Sequence, residues 1–200
     1  MKLLELFSGT KSVGKVAEQL GYEVISLDLK DADINCNILD WDYTVYEPGY
    51  FDVIWASPPC DTFSSLKNCW IGRFGYTRQS ILDDINNIGL PILRKTEEII
   101  DYFKPKYYFI ENPQTGKMKH YINDKPFYDV DYCKYGFDYR KRTRIWTNIT
   151  LFDNKLCRRD CGSINGNKHK ADVSITVNNI NDRYRIPPSL IEELFSCMVW

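Results

Sequence analysis

Residues 51–60, Phe-Asp-Val-Ile-Trp-Ala-Ser-Pro-Pro-Cys, determine more of the fold than any other stretch of the sequence. The first six residues are mostly apolar, which predicts a buried β-strand. Pro58 and Pro59 lack a backbone N–H, so they stop the strand and make a stiff turn. We therefore expect the side chain of Cys60 to be held in a fixed direction, just past the C-terminal end of this strand.

Strand and helix patterns alternate around this segment. Strands are predicted at residues 3–7, 23–28 and 107–110, and a further strand is predicted to end at residues 144–147. One helix is predicted at residues 12–20, one or two within residues 80–103, and a closing helix at residues 189–200. Pro91 is expected near a helix start or a kink. Near-continuous apolar strands that alternate with helices predict an α/β fold, with a doubly wound, Rossmann-like parallel sheet between two layers of helices.

The composition is that of an ordinary globular domain. The chain has 200 residues, of which 44% are hydrophobic and 26% charged. It has neither an apolar run of about eighteen residues nor a signal-peptide pattern. We therefore expect an intracellular protein, in the cytoplasm or nucleus, with no membrane partner. We also expect a monomer. Seven cysteines, an odd number, favour thiols, a metal site or catalysis over a disulfide framework.

The formal net charge of −1 hides a basic block. Residues 115–170 carry 13 Lys/Arg and 6 Asp/Glu, a net charge of +7, whereas residues 1–114 carry −6 and residues 171–200 carry −2. Such a block predicts a surface that faces a polyanion such as nucleic acid. The alternative interpretation is an ordinary solvated face.

Four chemically useful groups follow the predicted parallel strands. Gly9, Asp28, Cys60 and Glu111 each lie at or just past the C-terminal end of a strand. Ligands of doubly wound sheets bind at this edge, so we expect the four to lie close together. A glycine turn lets backbone approach a ligand, and a carboxylate after the second strand can accept the ribose hydroxyls of an adenosine. Both features also occur in doubly wound sheets that bind other ligands.

The residues expected at the same sheet edge as Cys60 suggest that its thiol acts as a nucleophile. A positioned thiol near cations can ionise and attack, although a lone cysteine is more often a small buried hydrophobe. Glu111 offers an acid at the same edge. Arg142 and Arg144 alternate on a predicted strand, so their side chains should point the same way. A thiol, an acid and a fixed cation beside a nucleoside site are suited to activating a pyrimidine ring.

Five segments, taken in chain order, resemble the motifs of the DNA cytosine-C5 methyltransferase family, and in particular its small viral and phage members. The matching segments are Glu5-Leu6-Phe7-Ser8-Gly9, Ala56-Ser57-Pro58-Pro59-Cys60, Ile110-Glu111-Asn112-Pro113, Tyr139 to Trp146, and Arg185 to Ile191. The chain departs from the family pattern at Asn112-Pro113, Arg140 and Lys11-Ser12. The nucleophile, the acid and the arginine pair are retained, so we expect activity.

The resemblance implies transfer of a methyl group from S-adenosylmethionine to C5 of cytosine in double-stranded DNA. In that scheme Cys60 adds to C6 of a flipped base, and Glu111 contacts N3 and the exocyclic amine. Arg144 contacts the base carbonyl, while Arg142 holds the base and loop. The cofactor-binding residues that it implies, together with the strand-end groups, are Phe7, Ser8, Gly9, Thr10, Asp28, Leu29, Asn37, Ile38 and Pro59.

Three other functions stay open at this stage. A tRNA cytosine-C5 methyltransferase can share this architecture. An amino-methyltransferase acting on adenine N6 or cytosine N4 usually ends its Pro-Pro motif in an aromatic residue and needs no thiol. A binding protein that kept the fold without catalysis is the third.

The segment after the basic strand suggests a metal. Cys157 and Cys161 form a Cys-x3-Cys pair, His169 follows, and Cys133 lies within reach of the same loop. Three cysteines and one histidine make a closed structural zinc site. The alternative is free cysteines in a loop beside a surface histidine. We expect a catalytic domain at residues 1–150, a short recognition or zinc-loop segment at 151–182, and a C-terminal helix at 183–200 that packs back on the catalytic domain. So small an insertion predicts a short target sequence.

Overall fold

The strand ends that carry the candidate residues belong to one mixed sheet. The computed structural model describes residues 1–166, 168–171 and 180–199, and within them seven strands form this sheet. The strands are β1 (Lys2–Leu6), β2 (Glu23–Asp28), β3 (Ile34–Asn35), β4 (Val53–Ala56), β5 (Tyr107–Pro113), β6 (Phe127–Asp131) and β7 (Arg142–Thr147). Their spatial order is β3-β2-β1-β4-β5-β7-β6.

The sheet is parallel from β3 to β5 and antiparallel at β7. The order runs outward from β1 in both directions, so the C-terminal ends of β1 and β4 flank a switch point where ligands of such sheets bind. All four residues of β4 are buried, as expected for a central strand covered on both faces. The doubly wound α/β fold is confirmed.

Helices cover both faces of the sheet. They are α1 (Ser12–Gln19), α2 (Arg78–Asp84), α3 (Leu90–Phe103), α4 (Ile180–Tyr184) and α5 (Pro188–Ser196). On one face α1 and α5 pack over Trp55 and Phe109, whereas α2 and α3 pack over Ile54 and Ile110 on the other. Alternate residues of β4 and β5 therefore belong to different cores.

A π-helical turn joins α2 to α3. It spans Ile85–Gly89 and ends two residues before Pro91, whose missing N–H cannot continue an ordinary α-helical ladder. A Cβ on Gly89 would lie 2.6 Å from Oγ1 of Thr62, two residues after Cys60. Pro91 was predicted near a helix start or a kink, and it lies in the first turn of α3. The π-helical turn brings the start of this long helix against the loop that carries the thiol.

The C-terminal part of the chain returns to the sheet. The predicted closing helix is present as α5, whose Phe195 ring lies 5.5 Å from that of Tyr22. Strands β8 (Ile164–Asn165) and β9 (Lys168–His169) form a separate small hairpin. Residues 167, 172–179 and 200, which belong to the predicted recognition segment and closing helix, lie outside the described residues. In the described ranges no helix has the length and apolar character needed to cross a bilayer.

Candidate active site

A cavity of about 460 Å³ opens at the C-terminal edge of β1, β2, β4 and β5. Its volume lies within the range of about 300–1,000 Å³ that is usual for small-molecule sites. It brings together most of the residues proposed from the sequence. The predicted residues that line it are Phe7, Ser8, Gly9, Thr10, Asp28, Pro59, Cys60 and Glu111.

The turn after β1 shapes the first end of the cavity. Phe7 adopts φ 60° and Gly9 φ 47°, so the chain doubles back in the left-handed region. The carboxylate of Asp28 accepts hydrogen bonds from the backbone N–H of Gly9 at 2.8 Å and of Leu29 at 2.7 Å. The hydroxyl of Ser8 is buried without a hydrogen-bond partner. A fixed carboxylate and an unsatisfied buried hydroxyl at a close-approach turn fit a nucleoside-bearing cofactor.

Three predicted cofactor residues do not line this cavity. The Leu29 side chain is 71% exposed, and Ile38 is buried in the core beneath α3. The side-chain oxygen of Asn37 accepts a hydrogen bond from the backbone of Leu39. Their contact with a cofactor stays a prediction.

Glu5 is a cavity residue to which sequence reasoning gave no individual role. Glu5 lies in β1 and is 3% exposed. Its carboxyl group accepts hydrogen bonds from the backbone N–H groups of Val13 and Gly14 at the start of α1. Burial raises its pKa to about 7, although those two hydrogen bonds oppose the shift. A charged residue inside the apolar run of a central strand was the signal in the sequence.

The stiff turn before Cys60 is anchored by β5. The side-chain amide of Asn112 donates a 2.8 Å hydrogen bond to the carbonyl oxygen of Pro58, and Asn112 is 1% exposed. Cys60 follows this anchored turn and faces the cavity. Burial raises the pKa of its thiol, and the nearby positive charge of Lys141 opposes that shift while Glu111 adds to it. The thiol is therefore held in place in a site where burial opposes its ionisation and the positive charge of Lys141 favours it.

Glu111 is held by two residues that the sequence analysis did not single out. The hydroxyl of Tyr132, which is fully buried, donates a 3.0 Å hydrogen bond to Oε1 of Glu111. The Nζ atom of Lys141 lies 3.9 Å from the same oxygen. Tyr132 begins the 3₁₀ helix Tyr132–Tyr135, directly after β6. Because both partners come from the antiparallel side of the sheet, strand register is needed to find them.

Arg142 and Arg144 lie on the opposite face of the sheet from Glu111. In β7 the residue paired with Glu111 is Ile145, whereas Arg144 pairs with Asn112, and paired residues share a face. The structure does not bring either arginine into the cavity lining. The two arginine side chains lie on the same face of β7, as expected. Their contacts with the target base stay predictions.

Carboxylates of β6 hold both guanidinium groups. Arg144 makes two hydrogen bonds to Asp129, of 2.8 and 2.9 Å, and Arg142 makes two to Asp131, of 3.0 and 2.7 Å. Such bidentate pairs fix both the position and the plane of a guanidinium. The arginines therefore tie β6 to β7.

The four predicted metal ligands lie together. The ligand atoms of Cys133, Cys157, Cys161 and His169 are all within 4.8 Å of one another, and Sγ of Cys157 is 3.5 Å from Nε2 of His169. They come from the 3₁₀ helix after β6, the loop after β7 and β9. Burial raises the pKa of Cys157, but hydrogen bonds from His169 and the amide of Arg159 outweigh it and leave the pKa at about 7. The donor set and spacing fit a tetrahedral ion.

Asp131 connects this cluster to the sheet. Its buried carboxylate accepts hydrogen bonds from the guanidinium groups of Arg140 and Arg142 and, at 2.8 Å, from the backbone N–H of Cys157. The Cys157 loop is therefore attached to β6 and β7 through one side chain.

Comparison with known proteins identifies a relative over almost the whole chain. A curated protein of Frog virus 3 (isolate Goorha), named "Probable DNA (cytosine-5)-methyltransferase", is 44% identical over 212 aligned residues, covering 97% of this chain and 98% of that protein. A solved methyltransferase structure from Entamoeba histolytica matches 94% of this chain and 63% of its own length, with a TM-score of 0.55 and 17% identity. That likeness bears on the fold alone. No protein-family model matches the sequence.

Proposed function

The chain belongs to the DNA cytosine-5 methyltransferase family, and from this premise we propose that it uses S-adenosylmethionine and a covalent bond between Cys60 and a flipped cytosine of duplex DNA. The observation that carries the proposal is the placement of Cys60 and Glu111 in the same cavity as Asp28. A nucleophile and an acid at one end, with a nucleoside-binding carboxylate at the other, fit a reaction between a pyrimidine and an adenosine-bearing cofactor.

The residues at the β1 and β2 ends suit the cofactor. Asp28 would accept the ribose hydroxyls, and the Phe7-Ser8-Gly9 turn would let backbone approach the bound molecule. When bound, S-adenosylmethionine supplies an electrophilic methyl group on a sulfonium sulfur. Glu5, behind this turn, keeps the start of α1 in place.

The residues at the β4 and β5 ends suit the base. The thiolate of Cys60 forms a bond to C6, and the electron pair of the C5–C6 double bond becomes available at C5 to take the methyl group. Glu111 donates a hydrogen bond to N3 as electron density moves into the ring. After methylation a proton leaves C5, the double bond re-forms, and the C6–S bond breaks to release the thiolate. The target base would leave the duplex stack so that its C5 and C6 atoms reach Cys60 in the cavity.

We also propose a zinc ion at Cys133, Cys157, Cys161 and His169, with a structural role. A four-ligand set with no open position favours structure over catalysis. The segment around it is short and polar, so a metal would replace the burial that it lacks. The basic residues of this segment would contact DNA phosphates; they are Arg158, Arg159, Lys168 and Lys170.

The experiment is methyl transfer from labelled cofactor to duplex DNA or tRNA, followed by sequencing of the modified DNA. The expected result is label in DNA, at C5 of cytosine within a short sequence context. Label confined to tRNA would reject duplex DNA as the substrate. Label at an exocyclic amine would reject attack by a thiolate.

A further inference from the structure

The acid of the proposed reaction and the metal cluster are connected through three consecutive residues. Asp131 ends β6, and Tyr132 and Cys133 begin the 3₁₀ helix that follows it. The hydroxyl of Tyr132 donates a 3.0 Å hydrogen bond to Oε1 of Glu111, whereas the thiol of Cys133 is one of the four proposed zinc ligands. The tyrosine that holds the acid is therefore the chain neighbour of a metal ligand.

The Tyr132 side chain is confined in this position. It is fully buried, and its ring lies 5.7 Å from the ring of Phe137. Its backbone N–H donates a 3.2 Å hydrogen bond to the carbonyl oxygen of Lys141, in the segment before β7. A hydrogen bond tolerates only small changes in distance and angle, so the support of Glu111 depends on where the start of this 3₁₀ helix lies.

The Cys157 loop holds the start of the 3₁₀ helix. The carboxylate of Asp131 accepts the 2.8 Å hydrogen bond from the backbone N–H of Cys157, and the N–H of Asp131 donates to the carbonyl oxygen of Lys155 at 3.0 Å. The Nζ atom of Lys134 lies 3.1 Å from Oδ2 of Asp160, three residues after Cys157. Contacts on both sides of Tyr132 therefore end in the loop.

The loop has little buried surface of its own. Most of residues 153–162 are exposed, and each strand of the hairpin that carries His169 has two residues. Cys133 and Cys157 are the buried members of the ligand set, so an ion between them would join the loop to the 3₁₀ helix directly. Removal of that ion would release Cys133 and loosen the Asp131 contact together.

We propose that metal binding at the cysteine-histidine cluster controls the acid of the active site, with Tyr132 as the positioning residue that links the two. This inference rests on the proposed reaction at Cys60 and on the proposed zinc ion. With the ion bound, the Tyr132 hydroxyl holds Glu111 at N3 of the base. Without the ion Glu111 loses this support, whereas Asp28 keeps its own hydrogen bonds at the cofactor end. Loss of metal therefore impairs methyl transfer more than cofactor binding.

The test compares Tyr132→Phe with Tyr128→Phe in the full-length, zinc-loaded protein. Tyr128→Phe is the matched control, because it removes a hydroxyl of β6 that donates to the carbonyl oxygen of Ile149 at 3.4 Å, outside the cavity lining. The kcat on a DNA duplex with the target site, the KM and Kd of S-adenosylmethionine, and the zinc content are measured before and after a chelator removes the metal. If wild type makes no 5-methylcytosine or no Cys60 adduct, the proposed function fails; a wild type that does both but holds no zinc overturns the coupling.

In the loaded protein, Tyr132→Phe should lower kcat about tenfold, because a hydrogen bond to a charged group is lost, while the zinc content and the KM of the cofactor stay unchanged. Tyr128→Phe should match wild type. Metal removal should lower the kcat of wild type about tenfold, but that of Tyr132→Phe by less than about threefold, since the same support is already missing. The Kd of the cofactor should change by less than about threefold. Turnover of the metal-free wild type equal to that of the loaded protein, or loss by the same factor in both proteins, would overturn the proposal.

If the metal-free protein does not fold, zinc affinity tests the coupling instead, because coupling between two sites acts equally in both directions. Protein trapped on duplex DNA that carries 5-fluorocytosine, with the base against Glu111, should hold zinc more tightly than free protein in competition with a chelator. Contacts of DNA with the loop contribute to this gain in every variant. The gain should therefore be about tenfold larger in wild type than in Tyr132→Phe, and an equal gain in the two proteins would contradict the coupling.

Discussion

The cavity edge and the cysteine-histidine loop are stabilised in opposite ways. At the cavity edge, buried strands fix each functional side chain, and the turn at Pro58 is anchored by the buried amide of Asn112. In the loop, short strands and polar residues supply little buried surface, and four ligand atoms within 4.8 Å take its place. A substitution at the cavity edge should therefore abolish catalysis without unfolding the protein. Removal of one metal ligand should instead unfold the loop.

The largest effect on activity is expected from Cys60→Ser. A hydroxyl is a far weaker nucleophile than a thiolate, so turnover should fall by at least about 10³-fold while thermal stability changes little. Cys69→Ser, an exposed cysteine in the following 3₁₀ helix, is the control and should remain active. Undiminished methylation by Cys60→Ser would exclude the covalent route.

In the loop, Cys157→Ser should lower stability, whereas Cys60→Ser lowers turnover. Loss of a metal ligand should remove about one zinc per chain and lower the free energy of unfolding by about 4 kcal/mol. Metal analysis of protein purified without chelator, with urea unfolding, checks both. Cys197→Ser, which alters a half-buried cysteine on the C-terminal helix cap, should keep its metal. No metal above background in the wild type would reject the zinc proposal.

Glu5, at the cavity edge, makes the free energy of unfolding depend on pH. Because its pKa is raised to about 7 in the folded state, the carboxyl takes up a proton on folding, and stability falls as pH rises from about 4.5 to about 7. The loss across that interval is about 3 kcal/mol. Glu5→Gln mimics the protonated form and should flatten this part of the curve, measured by urea unfolding at pH 5 and pH 8. Glu192→Gln, an exposed position on α5, should leave the wild-type slope; an equal slope in Glu5→Gln would contradict this account.

The smallest effect is expected from Asn112→Ala. It leaves the carbonyl oxygen of Pro58 without its buried donor, which should cost about 1–3 kcal/mol and slow turnover by loosening the Cys60 turn. Asn148→Ala removes a bond of the same type and length, 2.8 Å to the carbonyl of Lys106, at an exposed site, and also the acceptor of the Tyr108 N–H. Equal turnover in the two variants would show that the anchor does not position Cys60.

The sequence predicted the edge well because strand ends follow from apolar runs. Parallel strands bring their C-terminal residues to one side, so Gly9, Asp28, Cys60 and Glu111 were identified without any knowledge of packing. The cysteine-histidine cluster was also identified, because metal ligands are few and chemically distinct.

The side chain that lies beside Glu111 from the segment leading into β7 was not predictable in the same way. Shifting the register of a strand by one residue exchanges its two faces, so sequence alone does not decide between Arg144 and Lys141. Tyr132 was missed because its contact with Glu111 depends on how β6 ends. Leu29, Asn37 and Ile38 were chosen from a family pattern, and local backbone geometry places them outside the cavity lining.

The central claim is the covalent role of Cys60, and the most direct measurement is mass spectrometry of the protein after reaction with duplex DNA that carries 5-fluorocytosine at the target, in the presence of S-adenosylmethionine. Fluorine at C5 cannot leave as a proton does, so the C6–S bond should persist. The account predicts a stable adduct whose peptide contains Cys60 as the modified residue. Methylation of normal DNA with no such adduct, or an adduct at another cysteine, would contradict it.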